Sequence, residues 1–286
     1  EIHYAKTKRL QGVNMLQQLP KLFRFLAEDE LAIQKIAEEI KIDGILSDNR
    51  PGVFLEGIPN VYINHQLQVK TGITTFLSSK MHQKQMKKFT EIWVPDVEFE
   101  PSLSGDLGHL NSSGFSNKIK YLGWISRLKT KDEPKKYDYC AIISGPEPQR
   151  SIFQQKVLKL FTELPGKKII ITGNLKQVKP SQFFELKSML NTEDLNDVIN
   201  TSENIICRSG YTSLLDLMKL QKKALLVPTP GQYEQEYLAD RMEKLGWFTV
   251  CEQADFEKEA IEKLENLKHL QKPIHQNVHF DFSVFQ

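Results

Sequence analysis

Apolar residues recur at helical spacing over 15–40, through Leu22, Phe23, Leu26, Leu31, Ile33 and Ile36, and with Pro20 as an interruption they predict one helix or two. The period then changes. Short apolar runs at 42–46, 61–63, 92–94 and 119–125, several closed by polar or turn-forming residues, predict strands, and their continuous apolar character suits parallel strands covered on both faces. Between Leu128 and Tyr137 the pattern lapses into Lys-Thr-Lys-Asp-Glu-Pro-Lys-Lys, a charged stretch that marks a domain boundary. Beyond it strands at 139–144, 168–172, 204–207, 224–227 and 248–251 alternate with helices at 151–164, around 183–190, at 195–199, 212–220 and 233–245. The expected organisation is an N-terminal domain over 1–127, a linker over 128–136 and a C-terminal domain over 137–286 whose last residues cross back to the N-terminal domain, both domains α/β and doubly wound.

Composition narrows the function classes. A chain of 286 residues can bury two cores, and 38 basic against 36 acidic side chains leave a net charge of +2, too little to make nucleic acid the expected partner. No apolar stretch approaches eighteen residues and no signal-peptide order opens the chain, so a soluble cytoplasmic protein is expected, with the inner face of the membrane as a further location. Cys140, Cys207 and Cys251 lie in or beside apolar runs and read as buried thiols. No cysteine pair has zinc spacing, and His275 and His279 lack companions for a ligand set and read as solvated histidines. The chain opens on Glu1, with a basic segment leading to a helix and no strand before it; the N-terminal domain is expected to lack its first strands. Over 71–89, Phe76, Leu77, Met81, Met86 and Phe89 alternate with Lys80, Lys84, Lys87 and Lys88. Such a helix either covers a sheet or touches an anionic membrane surface.

In doubly wound sheets ligands gather at the carboxyl ends of strands, so the loops that follow strands carry the chemistry. Ser144-Gly145-Pro146 leads into a helix, and a glycine beside a helix N-terminus suits a phosphate, though a Gly-Pro turn is also ordinary punctuation. Arg208-Ser209-Gly210-Tyr211-Thr212-Ser213 repeats the arrangement with hydroxyl donors, which could equally cap the helix. Asp216, one turn further, could accept from a sugar diol or offset the helix dipole. The next strand ends in a stiff turn followed by Gln232, Glu234, Gln235 and Glu236, amides and carboxylates of the kind that bind carbohydrate hydroxyls.

Cys-Arg-Ser-Gly before a helix, then Ala-Leu-Leu-Val-Pro, then Pro-Gly-Gln-x-Glu-Gln-Glu resembles the donor-binding region of GT-B glycosyltransferases, in particular the family of the bacterial peptidoglycan N-acetylglucosaminyltransferase. The resemblance is most specific over about a third of the chain; weaker similarity reaches 42–50 and 61–66. It implies two Rossmann-like domains facing across a cleft and a nucleotide-diphosphate sugar, UDP-linked by first expectation, as co-substrate without further cofactor. By position it implies that Ser144, Gly145, Ser209 and Gly210 approach the diphosphate, with Thr212 among the donor-binding residues. Arg208 would order its loop, Asp216 would bond the ribose in place of a longer glutamate, and Gln235 and Glu236 would meet the transferred sugar. Glu236 departs from the family's paired amides, which leaves the sugar open. The glycine-rich loop ending in histidine, with which such proteins open, is missing here.

The reaction implied is inverting, metal-independent transfer to an acceptor hydroxyl on an unidentified carbohydrate or lipid-linked molecule. His65 and Asp48 are the acid–base candidates because both follow N-terminal strands; a structural histidine and an Asp48–Arg50 ion pair are the plainer readings. A nucleotide-sugar epimerase, or a protein that binds nucleotide sugars without turnover, remain as alternatives.

Overall fold

A computed structural model describes residues 11–69, 75–110, 114–173, 181–267 and 278–286. They fall into two compact units, one drawn from Ser126–Pro273 and the other from Arg9–Ile125 together with Ile274–Gln286.

The N-terminal unit begins with helix α1 (Gln11–Glu39), which continues through Pro20. Its sheet consists of β1 (Ile45–Asp48), β2 (Asn60–Ile63), β3 (Glu91–Val94) and β4 (Ile119–Tyr121), paired in that order and parallel throughout. Alternation within the strands divides the core between the two faces. Tyr62, Ile92 and Val94 pack with Met86, Phe89 and Phe115 on one side, and Val61 and Trp93 pack with Leu122 on the other. Met86 closes helix α2 (Thr75–Met86). The helix therefore spends an apolar end on the sheet while Lys80 and Lys84, with Lys87 and Lys88 just beyond, stay exposed. Residues 70–74 and the side chains of Phe76 and Leu77 lie outside the description. The second face is covered from far along the chain. Val284 and Phe285 pack against it, Phe280 and Phe282 place their rings 5.9 and 5.4 Å from Trp93, and the His279 N–H donates to Leu122 O.

The C-terminal unit is built on β5 (Tyr137–Ile143), β6 (Lys168–Thr172), β7 (Glu185–Lys187), β8 (Ser202–Cys207), β9 (Lys223–Leu226) and β10 (Thr249–Val250), all parallel in the order β10-β9-β8-β5-β6-β7. The helices are α3 (Gln149–Glu163), α4 (Thr192–Asn200), α5 (Tyr211–Leu220), α6 (Tyr233–Lys244) and α7 (Lys258–Glu265). Phe153, Val157, Leu160 and Phe161 of α3 interlock with strand residues and with Phe256 and Ile261 in one apolar cluster. Cys140 and Cys207 are buried, and that burial pushes their thiols up to about 12.

Two expectations change. The helix anticipated around 183–190 is the edge strand β7: Phe184 and Leu186 reach the core while Phe183 and Met189 are exposed, an in-and-out placement that the sequence spacing also allows. The boundary lies at Ile125–Ser126, ahead of the charged stretch. Residues 128–136 are not a free linker, because Leu128 is buried and the Lys129 and Lys131 N–H groups donate to Asn196 and Asn200 of α4, each at 2.9 Å.

Candidate functional site

In the C-terminal sheet β5 leads first to β6 and β7 on one side, then the chain returns to place β8, β9 and β10 on the other. The direction of winding reverses between β5 and β8, the point at which ligands gather beside the loops leaving strand carboxyl ends in such sheets. Gly145 sits in the first of these loops with φ +101, a backbone state that favours glycine, and the turn feeds the N-terminus of α3. Ser209 and Gly210 form the second, and Gly210 is the cap residue before α5. The adjacent β9 contributes a third loop, in which Gly231 (φ +80) and Gln232 precede α6. Three helix N-termini thus leave adjacent strands at one end of this sheet, each carrying first-turn N–H groups with no partner inside the helix.

Arg208 is the central side chain, and it points inward. It is 1% exposed, with its guanidinium 4.3 Å over the Phe153 ring. Nη1 donates to the Val227 and Pro228 carbonyls at 3.0 and 3.2 Å; Nη2 donates to Gln149 O at 3.0 Å and to Gln253 Oε1 at 2.6 Å. Gln253 Nε2 closes the ring on Gln149 Oε1 at 2.7 Å. One side chain therefore ties the starts of α3 and α5 to the end of β9 and the segment after β10. Burial pushes its ionisation down to about 10, which still leaves it cationic at neutral pH.

Several residues expected to reach a ligand are engaged within the protein. The Ser209 hydroxyl is buried and donates to Gln235 O at 2.8 Å, so what this loop offers a phosphate is backbone N–H. Gln235 Oε1 accepts from Thr229 N–H at 2.9 Å and Glu236 Oε1 accepts from Gly231 N–H at 2.8 Å, pinning the turn that precedes their own helix. Asp216 Oδ1 accepts from Ser126 Oγ at 2.6 Å. Burial raises its carboxyl above the ordinary range, with the Ser126 bond and the Arg127 charge opposing. Ser144 and Thr212 are exposed, and Gly145, Gly210, Gln232 and Glu234 are half-buried. Gln232 Oε1 is buried with no hydrogen-bond partner. Of the four other atoms in that condition, Asn204 Oδ1 and Gln221 Oε1 lie elsewhere in this unit, while Arg208 Nε and Thr229 Oγ1 lie at these loops, and sequence reasoning passed over Thr229 altogether. A groove of about 510 Å³ starts at Pro228 and Glu236 and runs between α6 and α7, with Asp240, Glu243, Glu252 and Asp255 on its walls.

In the N-terminal unit Asp48 ends β1 and is exposed; its register partner is Ile63, two residues before the half-buried His65, which puts both candidates at the carboxyl end of their sheet. Arg50 is not the partner of Asp48. Its guanidinium pairs with Asp29 of α1, which faces it across the unit. The ordered polar cluster at this end is a different one. Asn64 Nδ2 donates to Tyr62 Oη at 3.1 Å and to Asn49 Oδ1 at 3.3 Å, Asn64 Oδ1 accepts from Gln66 N–H at 2.7 Å, and His82 Nε2 lies 2.9 Å from Gln66 O. Burial pushes Tyr62 up to about 12 and His82 down. Asn49, at φ +53, and Asn64 each follow a strand, which is the signal that would have marked them in the sequence. Among the described residues no group of three or more His, Cys, Asp or Glu could hold a metal ion, and no helix is long and apolar enough to cross a membrane.

Residues 142–279 match the glycosyltransferase family 28 C-terminal domain. A UDP-N-acetylglucosamine–N-acetylmuramyl-(pentapeptide) pyrophosphoryl-undecaprenol N-acetylglucosamine transferase from Sulfurihydrogenibium sp. (strain YO3AOP1) is 22% identical over 157 residues, or 52% of this chain and 45% of the relative. The chain thus spans less than half the length of that curated relative. MurG of Acinetobacter baumannii superposes with a TM-score of 0.51 at 14% identity, over 84% of this chain and 68% of that one. MnaA of S. aureus, in a structure with UDP, gives 0.56 at 13% identity, over 84% and 69%. At these identities the likeness is one of fold, and the fold of the two units is that of GT-B glycosyltransferases.

Proposed function

We propose that the family 28 domain binds the nucleoside diphosphate of a sugar donor and that the protein transfers the sugar to an acceptor hydroxyl. The observation that carries this reading is the convergence of three strand-to-helix loops, at Gly145, Gly210 and Gln232, at the winding reversal of one sheet. UDP is the first nucleotide to try, since one structure of the same fold holds it. In the proposed step the acceptor oxygen attacks the anomeric carbon, the bond from that carbon to the diphosphate oxygen breaks, and the diphosphate leaves with the electron pair. The acceptor proton passes to a base, for which His65 and Asp48 are the candidates. Attack opposite the leaving group inverts the anomeric centre. Helix N-termini offset the charge that develops on the diphosphate, so no metal ion is required. The acceptor is a carbohydrate or lipid-linked hydroxyl, met in the cytoplasm or at the membrane's inner face.

Calorimetric titration with UDP, UMP and uridine tests the donor site. Binding of UDP in the micromolar range with a rise in melting temperature is expected, and no binding of any nucleoside diphosphate would remove the assignment. Release of UDP from UDP-sugars, screened over acceptors, then tests turnover; UDP binding without release under every acceptor favours a binding protein.

A further inference from the structure

Arg208 carries a full charge in the interior with nothing negative beside it. All its hydrogen bonds go to neutral oxygens, three of them backbone carbonyls and one an amide, and among the described residues no carboxylate pairs with it. An uncompensated buried cation is costly to keep. A clamp that only joined four carbonyl acceptors would not need one N–H left idle, yet Arg208 Nε has no partner. The idle N–H has company. Thr229 is fully buried with an unpartnered Oγ1, and a methyl group placed on Gly145 would come 3.4 Å from that oxygen and 3.8 Å from Arg208 Nε. Both orphaned groups therefore lie directly behind the glycine turn where the β5 loop enters α3. Glu147, the acid within that turn, is already paired with Arg150 at 2.7 Å.

We infer that Arg208 and Thr229 are positioning residues that make the donor site select for the diphosphate, acting from behind the Gly145 turn through the field of a buried charge and an unengaged hydroxyl dipole. The inference rests on the donor-site reading above and deepens it: the three loops supply N–H contacts, and Arg208 supplies the net positive charge that those loops lack at the surface. In a low-dielectric interior such a charge acts over several ångströms without contact, and an anion seated on the turn offsets the cost of burying it. The nucleoside gains nothing from either group. The selectivity of UDP over uridine is therefore the quantity these two residues set, and Arg208→Lys, which keeps the charge but loses the guanidinium fork, separates this role from loop-holding: a lysine variant as unselective as the glutamine variant would assign the effect to the clamp.

The test titrates UDP, uridine and inorganic pyrophosphate into the full chain and into its Arg208→Gln, Arg208→Lys and Thr229→Val variants, with circular dichroism and melting as folding controls. Arg208→Gln should lower UDP and pyrophosphate affinity by about tenfold or more while uridine affinity stays within about twofold, Arg208→Lys should keep most of the selectivity, and Thr229→Val should lower UDP affinity a few-fold. Equal losses for UDP and uridine, or an unchanged ratio, would overturn the inference while leaving the donor site intact. Failure of the unaltered chain to bind UDP would remove the donor site and the inference with it. Should Arg208→Gln not fold, Thr229→Val decides: an isosteric change that leaves the UDP-to-uridine ratio unmoved refutes the shared role.

Discussion

The two units treat the polar groups at the carboxyl ends of their strands in opposite ways. In the N-terminal unit Asn49, Tyr62, Asn64 and Gln66 satisfy one another, with His82 joined to the Gln66 carbonyl. In the C-terminal unit the polar side chains hold the loops together but leave Arg208 Nε, Thr229 Oγ1 and Gln232 Oε1 unused. Buried polar groups without partners are costly, so a fold keeps them where something else offsets the cost. A closed network fixes geometry; an open one, on the donor-site reading proposed above, leaves groups that a ligand can meet.

The contrast breaks hardest at Arg208. Arg208→Met would strand the Val227, Pro228 and Gln149 carbonyls and the Gln253 amide, and is expected to cost about 3 kcal/mol or more. That corresponds to a drop of roughly 10 °C in melting temperature by calorimetry. Asn64→Ala attacks the closed network and should cost about 1–3 kcal/mol in denaturant unfolding; with the donor site intact, UDP affinity should not change, and a parallel loss would erase the distinction between the units. Gly145→Ala sets a side chain into a left-handed backbone and against Thr229 Oγ1. It should cost about 1 kcal/mol of stability but a larger share of UDP affinity, a disproportion readable from paired melting and titration data.

The smallest effect concerns pH. Burial holds His82 below the ordinary histidine range, with the Gln66 carbonyl a partial offset, so the unfolded chain takes up this proton more readily than the folded one. The stabilising contribution is complete above about pH 6.5 and is lost as pH falls from there toward the folded value. His82→Gln should flatten that acid limb in urea melts between pH 7 and 5; an unchanged slope would show that His82 does not control it.

Much of the scaffold was legible because burial on both faces forces parallel strands to be apolar throughout. The run at Lys168–Thr172 and the alternation from Tyr137 to Val250 announce themselves for that reason. The stretch around Phe183 was not, since its apolar spacing satisfies a period of two and of 3.6 alike, and only the pairing with β6 decides between them. At the site, glycines and helix starts were readable because backbone conformation leaves a mark on residue choice. The use of each side chain was not. Whether Ser209, Gln235 or Glu236 turns toward a ligand or toward a neighbouring loop depends on contacts 5 to 26 residues away, and Thr229, between two prolines, looks like turn filler until Gly145 and Arg208 are set beside it.

The covering of the Trp93 face by Val284 and Phe285, with Phe280 and Phe282 alongside, bears on how this protein is made. Synthesis delivers β1 to β4 before the C-terminal sheet, yet Val61, Trp93 and Leu122 gain the packing of Val284 and Phe285 only once residues 278–286 have been added. The earlier-made unit is thus the later one to be sealed. Loss of residues 278–286 would leave the C-terminal unit able to close around its own core, while the damage fell on the N-terminal unit.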